Sequence, residues 1–445
     1  MKKTIGVLFL SLLIAMPLAA GAQQEVKAEG PIELTFWHLW GGTRGPLLED
    51  LVNKFKAEYP NVDFEMTFTV PNDLQKKVVQ AAGTGTLPDI FSMHTGWYVN
   101  LLPEETLLNL DSHLKRDGIV IEDVLVAAEA KRSYWEDGIV YSLPNVTAGA
   151  QGLFFYNKGL MHKSGLDPVK DAPKNWNEFI NISKVLVDKL NGSNRLDVIS
   201  WNPFQISGQP AIITFSYGAG HPTVSDDGKT SKLNTPGVIE TVKKFDEAIE
   251  EVYGSYGGHR GLLEWSSRVA GADTGSGQVQ AFITEGQVFY IAGSWTIGQV
   301  RSGNPDMEFS ILPVPGFGGQ HGGIAKHGWS YAIDKKCKNK DIAWEFLKFL
   351  TIDPAGNGEF CKAQRRPCPI SEVNYDPVYK EVGDMWDNLV ISMNKDIVPA
   401  SDIYMDVVKP WLRDIPARRI AGESIEDIMN SIHKQFQDYL DDVYE

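Results

Sequence analysis

The hydrophobic pattern at the start of the chain alternates between the period of a strand and that of a helix. Ile32, Leu34 and Phe36 occupy every second position and predict a strand. Pro46 stands in the first turn of a predicted helix, and the apolar residues after it recur at helical spacing. Residues 62–70 alternate again, and a second helix and the strand "DIFSMH" follow. This β-α-β-α-β order predicts a parallel sheet with crossover helices.

The same succession of strands and helices returns later in the chain. Strands are predicted at "GLFFYN", "LDVIS", "QVFYIAGSW", "EFSILPVPG" and "GWSYAID". Helices are predicted at "WNEFINISKVLVDKL" and "TPGVIETVKKFDEAIEEVY", and the chain after Cys361 is mostly helical by the same criteria. A chain of 445 residues is too long for one ordinary core, so we expect two domains. Because no long linker separates two halves, the domains are expected to share the chain more than once.

The N-terminus has the pattern of a secretory signal peptide. Lys2 and Lys3 precede an apolar stretch, and the small-residue sequence "AGA" at 20–22 forms a cleavage site. The apolar stretch is too short to span a bilayer. We therefore expect residues 1–22 to be removed and the mature protein to be periplasmic. No cysteine follows the signal, so a lipid anchor is not expected.

Three cysteines leave two possibilities open. Cys361 and Cys368 bracket a short loop and could form a local disulfide in an oxidising compartment, leaving Cys337 as a free thiol. The alternative is three reduced, buried thiols. A zinc site is not expected, because only two cysteines cluster and no histidine follows at ligand spacing. No metal or other cofactor is predicted.

Charge and motifs exclude several classes of function. A net charge of −15 argues against a nucleic-acid partner, since phosphate binding needs a basic surface. The chain contains no G-x-S-x-G and no H-E-x-x-H, and the "GKT" at 228–230 has a threonine where a P-loop needs its first glycine. A carboxylate pair for glycoside hydrolysis remains possible, with Glu264 beside Trp265 as the candidate. A secreted glycosidase or polysaccharide lyase is therefore the alternative to a binding protein.

Aromatic residues recur at predicted strand ends and turns, where ligands bind in open α/β sheets. An indole can cover the apolar face of a sugar ring, while polar side chains bind the hydroxyl groups. Core packing is the competing explanation for each ring. The aromatic residues in such places are Trp37, His38, Trp40, His94, Trp97, Tyr98, Trp201, Trp265, Trp295 and Trp329.

Several stretches together resemble a known family. They are "ELTFWHLWGG", "LVNKFKAEYPNVDFE", "GTLPDIFSMH", "YSLPNVTAGAQGLFFYNK", "APKNWNEF", "FITEGQVFYIAGSW" and "AWEFLKFL". In order and spacing they resemble the extracellular solute-binding proteins of ABC sugar importers, the family that includes maltose-binding protein. The resemblance implies two α/β lobes, each a sheet flanked by helices, that close on a ligand by hinge motion. It implies an N-terminal lobe of 31–143 and 316–350, a C-terminal lobe of 148–311 and 352–445, and crossings near 144–148, 312–315 and 350–351.

The resemblance also implies a site, a ligand and partners. The expected ligand is a neutral mono- or oligosaccharide, with an acidic sugar as a variant, because a guanidinium can hold either hydroxyls or a carboxylate. The expected partners are the permease subunits of an ABC transporter with a cytoplasmic ATPase, and the protein is expected to be a monomer without catalytic activity. A secreted structural or adhesive protein is a third possibility. The expected site residues are Trp37, His38, Trp40, His94, Trp97, Asn145, Gln151, Trp295, His327, Trp329, Arg365 and Arg366, with Trp201 and Trp265 as further candidates.

Overall fold

A computed structural model describes residues 30–42, 44–148, 152–192, 195–204, 210–268, 275–401 and 405–444. The predicted signal peptide and Gln151 lie outside these residues. The strands are β1 (Ile32–His38), β2 (Val62–Phe68), β3 (Ile90–His94), β4 (Ser142–Pro144), β5 (Leu153–Asn157), β6 (Phe289–Ala292), β7 (Phe309–Leu312), β8 (Val314–Gly316), β9 (Gly319–His321) and β10 (Trp329–Ile333).

Helices surround these strands along the whole chain. The helices before residue 200 are α1 (Arg44–Glu58), α2 (Pro71–Thr84), α3 (Tyr98–Leu101), α4 (Asp111–Arg116), α5 (Ile121–Val124), α6 (Ala127–Ser133), α7 (Lys158–Lys163) and α8 (Trp176–Leu190). Those that follow are α9 (Ala211–Gly218), α10 (Pro236–Tyr253), α11 (Gly258–Arg268), α12 (Gly275–Ile283), α13 (Trp295–Gly303), α14 (Lys340–Thr351), α15 (Glu359–Ala363), α16 (Asp384–Met393), α17 (Met405–Arg413), α18 (Ile415–Ile420) and α19 (Ile425–Tyr444). The predicted α/β class, with sheets flanked by helices, is confirmed.

The first sheet has the strand order β2-β1-β3-β10-β4. β1 pairs in parallel with β2 and β3, as the β-α-β-α-β pattern predicts. β10 pairs antiparallel with both β3 and β4, so the sheet is mixed rather than purely parallel. β10 is more than 180 residues from its partners β3 and β4 in the sequence, and local periodicity does not specify whether it pairs with them parallel or antiparallel.

The second sheet is antiparallel and has the order β6-β5-β7. The segment "LDVIS" is not a strand of this sheet, contrary to the prediction. It contributes only an isolated bridge between Ile199 and Gln287. Leu196 and Ile199 are buried in the core. Backbone hydrogen bonds join Ile199 and Ser200 to residues 286–289, so the segment lies beside the start of β6 without forming a regular strand.

Three apolar clusters divide the chain between two lobes. The first joins buried residues of 34–146 and 331–360 around the first sheet, and we call this unit the N-terminal lobe. The second joins residues of 154–324 and 408–440, and the third joins residues of 153–311 and 361–393 with Val126. The second and third clusters lie on either side of β5, because Phe154 belongs to one and Phe155 to the other. We call the unit that they form the C-terminal lobe.

The crossings between the lobes differ from two of the expected positions. Val314 and Ile324 both pack in the second cluster, so the chain returns to the N-terminal lobe between Ile324 and Tyr331 rather than at 312–315. The reason is that β8 and β9 form a hairpin on the C-terminal lobe. The last crossing follows Phe360 rather than 350–351, because the Phe360 ring packs edge-on against Trp40, with centroids 5.4 Å apart.

All three cysteines are buried as free thiols in this structure. Of the two possibilities that the sequence leaves open, the structure has the reduced one. Within the described ranges, no cluster of histidine, cysteine and carboxylate side chains could hold a metal ion. A search of the same residues finds no helix with the length and apolar character needed to cross a bilayer.

Candidate functional site

Five aromatic side chains meet where β3 ends and β10 begins. We call His94, Trp97, Trp135, His327 and Trp329 the aromatic cluster. Trp329 is opposite His94 in the strand pairing, and their rings are 5.3 Å apart. Trp97 meets Trp329 edge-on at 5.6 Å, while His327 lies 6.2 Å from His94 and 6.4 Å from Trp135. All but Trp97 keep part of their surface exposed.

Thr95 holds the two strand ends of this cluster together. Its backbone N–H donates to the Gly328 carbonyl at 2.9 Å, and the Gly328 N–H donates to the Thr95 hydroxyl at 3.1 Å. The same hydroxyl lies 3.2 Å from Nδ1 of His327. The rings therefore project from a fixed junction of two strands, which lowers the entropy cost of ordering them around a ligand.

Trp135 is the member that the sequence reasoning missed. It follows α6, and its backbone N–H donates to the Ile139 carbonyl in a tight turn at 2.9 Å. The sequence signal that could have identified it is a tryptophan inside the polar turn "YWEDG", where no core-facing periodicity requires a large ring.

A second group surrounds Trp40 at the end of β1. We call Arg44, Trp40, Asn145, Tyr331 and Arg366 the tryptophan 40 cluster. The Trp40 indole N–H donates to the Tyr331 hydroxyl at 2.7 Å, and the indole is only 2% exposed. The guanidinium carbons of Arg44 and Arg366 lie 5.1 and 5.6 Å from the indole centroid. Trp40 thus folds back onto the lobe and supports the two arginines.

Burial shapes the electrostatics around Trp40. It raises the pKa of the Tyr331 hydroxyl to about 12, so this hydroxyl stays protonated at neutral pH. Burial also lowers the pKa of the neighbouring His38 to about 4, so its imidazole is neutral. The pKa of Arg366 is lowered, first by burial and then by the charge of Arg44. The positive charge in this group therefore belongs to the two arginines.

Strand β10 connects the two clusters. Trp329 and Tyr331 are two residues apart and therefore point to the same face of the strand. The Asn145 backbone N–H donates to the Trp329 carbonyl at 3.3 Å, which aligns the first crossing segment with β10. Along β10, the N-terminal lobe thus has the rings of the aromatic cluster near Trp329 and the two arginines of the tryptophan 40 cluster near Tyr331.

Trp295 is the exposed tryptophan of the C-terminal lobe. It follows β6 at the first residue of α13 and is 48% exposed. Its ring lies directly against Gly293, so a Cβ at that position would collide with it. The absence of a side chain at Gly293 therefore leaves room for the indole, about half of which stays exposed.

Other predicted site residues lie elsewhere. Trp37 is on the opposite face of β1 from His38, and the Lys77 ammonium covers its ring at 3.7 Å. Trp201 and Trp265 are 6% and 1% exposed and pack in the core of the C-terminal lobe, so neither presents a face to a ligand here. Arg365 donates from Nη1 to the Lys362 carbonyl at 2.7 Å. Gln151 lies outside the described residues.

A buried ionic group lies beside the aromatic cluster. Arg132 on α6 donates to Glu129 at 2.6 Å and to the Ala325 carbonyl at 2.8 Å, and it lies 4.0 Å from Asp396. A cavity of about 10 Å³, room for about one water, is lined by Glu129 and Arg132 on one side and Trp329 on the other. The group therefore connects the aromatic cluster with segments of the C-terminal lobe.

These features are suited to binding rather than to bond cleavage. Rings offer flat apolar surface, and Asn145, the histidines and the arginines offer hydrogen bonds. The carboxylate proposed for hydrolysis, Glu264, is exposed on α11 in the C-terminal lobe. Glu129, which lines a cavity together with Trp329 of the aromatic cluster, is already paired with Arg132.

Comparison with known proteins identifies the family of this chain. Residues 41–356 match the family of bacterial extracellular solute-binding proteins, and the chain belongs to this family. The family consists of binding proteins rather than enzymes, and its members act outside the cytoplasm. The two-lobed α/β architecture is that of the maltose-binding-protein-like members.

Three similar proteins illustrate the range of the likeness. A Brucella abortus protein named only as a binding protein is 25% identical over 69% of this chain and 68% of its own length. The sn-glycerol-3-phosphate-binding periplasmic protein UgpB of Escherichia coli is 23% identical over 54% of this chain and 58% of its own. The structure of the sugar-binding protein MalE from Xanthomonas citri superposes with a TM-score of 0.73, at 17% identity, covering 93% of this chain and 98% of that one.

Proposed function

We propose that this protein is the periplasmic substrate-binding component of an ABC transporter and that it captures a carbohydrate between its lobes. The observation that carries the proposal is the aromatic cluster, in which partly exposed rings stand beside polar side chains at the junction of β3 and β10. Such a surface matches a sugar, whose apolar ring faces pack on indoles while its hydroxyls bind polar groups. The sugar-binding MalE supports the choice of ligand class.

In this proposal the N-terminal lobe binds first and Trp295 of the C-terminal lobe covers the other side of the ligand. Closure of the lobes then presents the loaded protein to the permease subunits in the inner membrane, with a cytoplasmic ATPase supplying the energy. The N-terminal segment would direct secretion and be removed. The protein acts as a monomer.

A thermal-shift assay with a panel of mono- and oligosaccharides tests the ligand class. A ligand at a hundredfold excess over its Kd stabilises the folded protein by about 2.7 kcal/mol, so a cognate sugar should raise the melting temperature clearly. Tryptophan fluorescence should change with the same sugar at the same concentrations. A panel that includes oligosaccharides of several linkages but gives no shift with any member would contradict the proposal.

The same samples separate binding from hydrolysis. A binding protein returns the sugar intact, while a glycosidase or lyase releases products that chromatography detects. Glu264→Gln should leave both the thermal shift and the intact sugar unchanged. Product release that Glu264→Gln abolishes would instead establish the enzymatic alternative.

A further inference from the structure

The two arginines of the tryptophan 40 cluster have no counter-ion. Across the residues that the structure describes, neither Arg44 nor Arg366 forms an ion pair, and neither guanidinium donates a hydrogen bond to the protein. Both instead lie over the Trp40 indole, at 5.1 and 5.6 Å from its centroid. The basic side chains of this acidic protein have an ample choice of partners, since the chain contains 57 carboxylates and 42 lysines and arginines. Two unpaired arginines at one ring are therefore a specific arrangement.

This arrangement carries an electrostatic cost within the protein. Arg366 is half-buried, and its Nε is shielded from solvent without a hydrogen-bond partner. A buried charge without a counter-charge destabilises a protein, and a second positive charge nearby adds repulsion. A ligand that brings a negative charge to the two guanidinium groups would remove both costs.

Asn145 adds unsatisfied hydrogen-bonding capacity at the same place. Its side chain is 1% exposed and lies beside the Tyr331 hydroxyl. Neither its amide oxygen nor its amide nitrogen makes a well-formed hydrogen bond within the described part of the chain. Buried polar groups normally have partners, so an amide without them is suited to a donor and an acceptor on a ligand.

We propose that the tryptophan 40 cluster binds the carboxylate of an acidic sugar, so that the transported carbohydrate contains a uronate residue. This inference rests on the proposed function and specifies its substrate. The planar guanidinium of Arg366 matches a carboxylate through two parallel hydrogen bonds, Arg44 adds a second positive charge, and Asn145 binds a neighbouring hydroxyl. Trp40 holds the arginines by cation–π contact and does not itself stack on the sugar.

The position of the cluster favours a carboxylated sugar over a smaller anion. Trp329 and Tyr331 are separated by about 7 Å along β10. A ligand that reaches both the arginines and the rings of the aromatic cluster must therefore be at least as large as a sugar residue. A free phosphate or a glycerol phosphate would satisfy the arginines but leave the rings unused.

Calorimetric titration with matched pairs of ligands tests this inference. The ligands are the disaccharides of galacturonate, glucuronate, mannuronate and guluronate, each with its neutral methyl ester and its neutral hexose counterpart. Inorganic phosphate and glycerol 3-phosphate serve as the small anions. We expect one uronate to bind at least about tenfold more tightly than its own methyl ester, with an affinity that falls as salt concentration rises.

Arginine variants test whether the preference for a uronate over its methyl ester comes from Arg44 and Arg366. Arg366→Gln should remove most of the tenfold preference for the acid and leave binding of the methyl ester nearly unchanged, and Arg44→Gln should do so more weakly. Lys56→Gln is the matched control, because it removes a positive charge from the same helix as Arg44 at a residue paired with Asp63. It should not change the preference.

The possible outcomes separate this inference from the proposed function. Equal or tighter binding of neutral sugars would overturn the inference while the proposed function stands. Binding of glycerol 3-phosphate or phosphate as tightly as any uronate would also overturn it. If no sugar of either charge binds, both proposals fail. A preference for the acid that survives in the Arg366→Gln variant would show that the carboxylate lies elsewhere.

Discussion

Trp265 and Trp295 lie in the same lobe but differ in exposure. Trp265 is 1% exposed, and its indole N–H donates to the Asp197 carbonyl at 3.3 Å inside the second cluster. Trp295 is 48% exposed and lies on the Gly293 backbone. The buried Trp265 ring therefore contributes to the stability of the fold, while the exposed Trp295 ring is available to contact a ligand.

Alanine substitution should separate these two roles. Trp265→Ala should lower the free energy of unfolding by about 3–5 kcal/mol, because it leaves a large cavity in the core. Trp295→Ala should change the free energy of unfolding by only about 0.5 kcal/mol and should weaken carbohydrate binding by about tenfold or more. Urea unfolding and fluorescence titration measure the two effects, and unchanged affinity in Trp295→Ala would exclude it from the site.

The sequence predicts some residues of the site well and others poorly, for a physical reason. Strand alternation identifies Phe36 as core, and it is fully buried. The aromatic residues at the ends of β3 and β10 were also identified from the sequence, and they do come together. The burial of Trp40 could not be predicted, because the residues that cover it, Phe360 and Arg366, are more than 300 positions away.

At the scale of elements, α6 connects the N-terminal lobe to segments of the C-terminal lobe. Arg132 on α6 faces Glu129 of the same helix and Asp396 from beyond α16, and the Gly323 N–H donates to Asp396 at 2.8 Å. Glu129 also accepts a hydrogen bond from the Ala148 N–H at 2.8 Å. Two carboxylates thus share one buried guanidinium, and burial raises the pKa of Asp396 to about 8.

This raised pKa predicts that stability depends on pH. The unfolded Asp396 ionises near its ordinary pKa of 3.8, while the folded one retains its proton up to about 8. Between these values the folded state binds more protons, so the free energy of unfolding should fall as pH rises through this window. Asp396→Asn keeps an oxygen for the Gly323 N–H but cannot ionise, and its unfolding free energy should fall less between pH 5 and 8.

Urea unfolding at several pH values measures the difference between the two slopes. Glu264→Gln is the control, since it removes an exposed carboxylate on α11 that is not part of this group, and it should keep the wild-type slope. Identical slopes for wild type and Asp396→Asn would show that Asp396 is ionised in the folded protein across this range.

Elements were predictable where their signal is local. The helix α10 begins after Thr235 with Pro236, as the sequence indicates, and runs to Tyr253. The antiparallel pairing of β10 with β3 depends on contacts between distant segments, which local periodicity does not reveal. The hairpin of β8 and β9 was not predicted either. The resemblance implies a crossing between the lobes at 312–315, but Pro313 instead precedes a short strand of that hairpin and Pro315 lies within it.

At the scale of the whole molecule, each lobe has its own apolar core, and few segments pass between them. Such lobes can rotate as rigid bodies without repacking either core. A bound carbohydrate that contacts both the aromatic cluster and Trp295 would favour the closed arrangement by its additional contacts there.

We therefore expect a saturating concentration of the cognate sugar to lower the radius of gyration measured by small-angle X-ray scattering. The far-ultraviolet circular dichroism spectrum should not change, because neither core repacks. Trp295→Ala should need more sugar to reach the same compaction, because the C-terminal lobe then gains less from closing. An unchanged radius of gyration at a sugar concentration that saturates the fluorescence signal would mean that binding does not close the lobes.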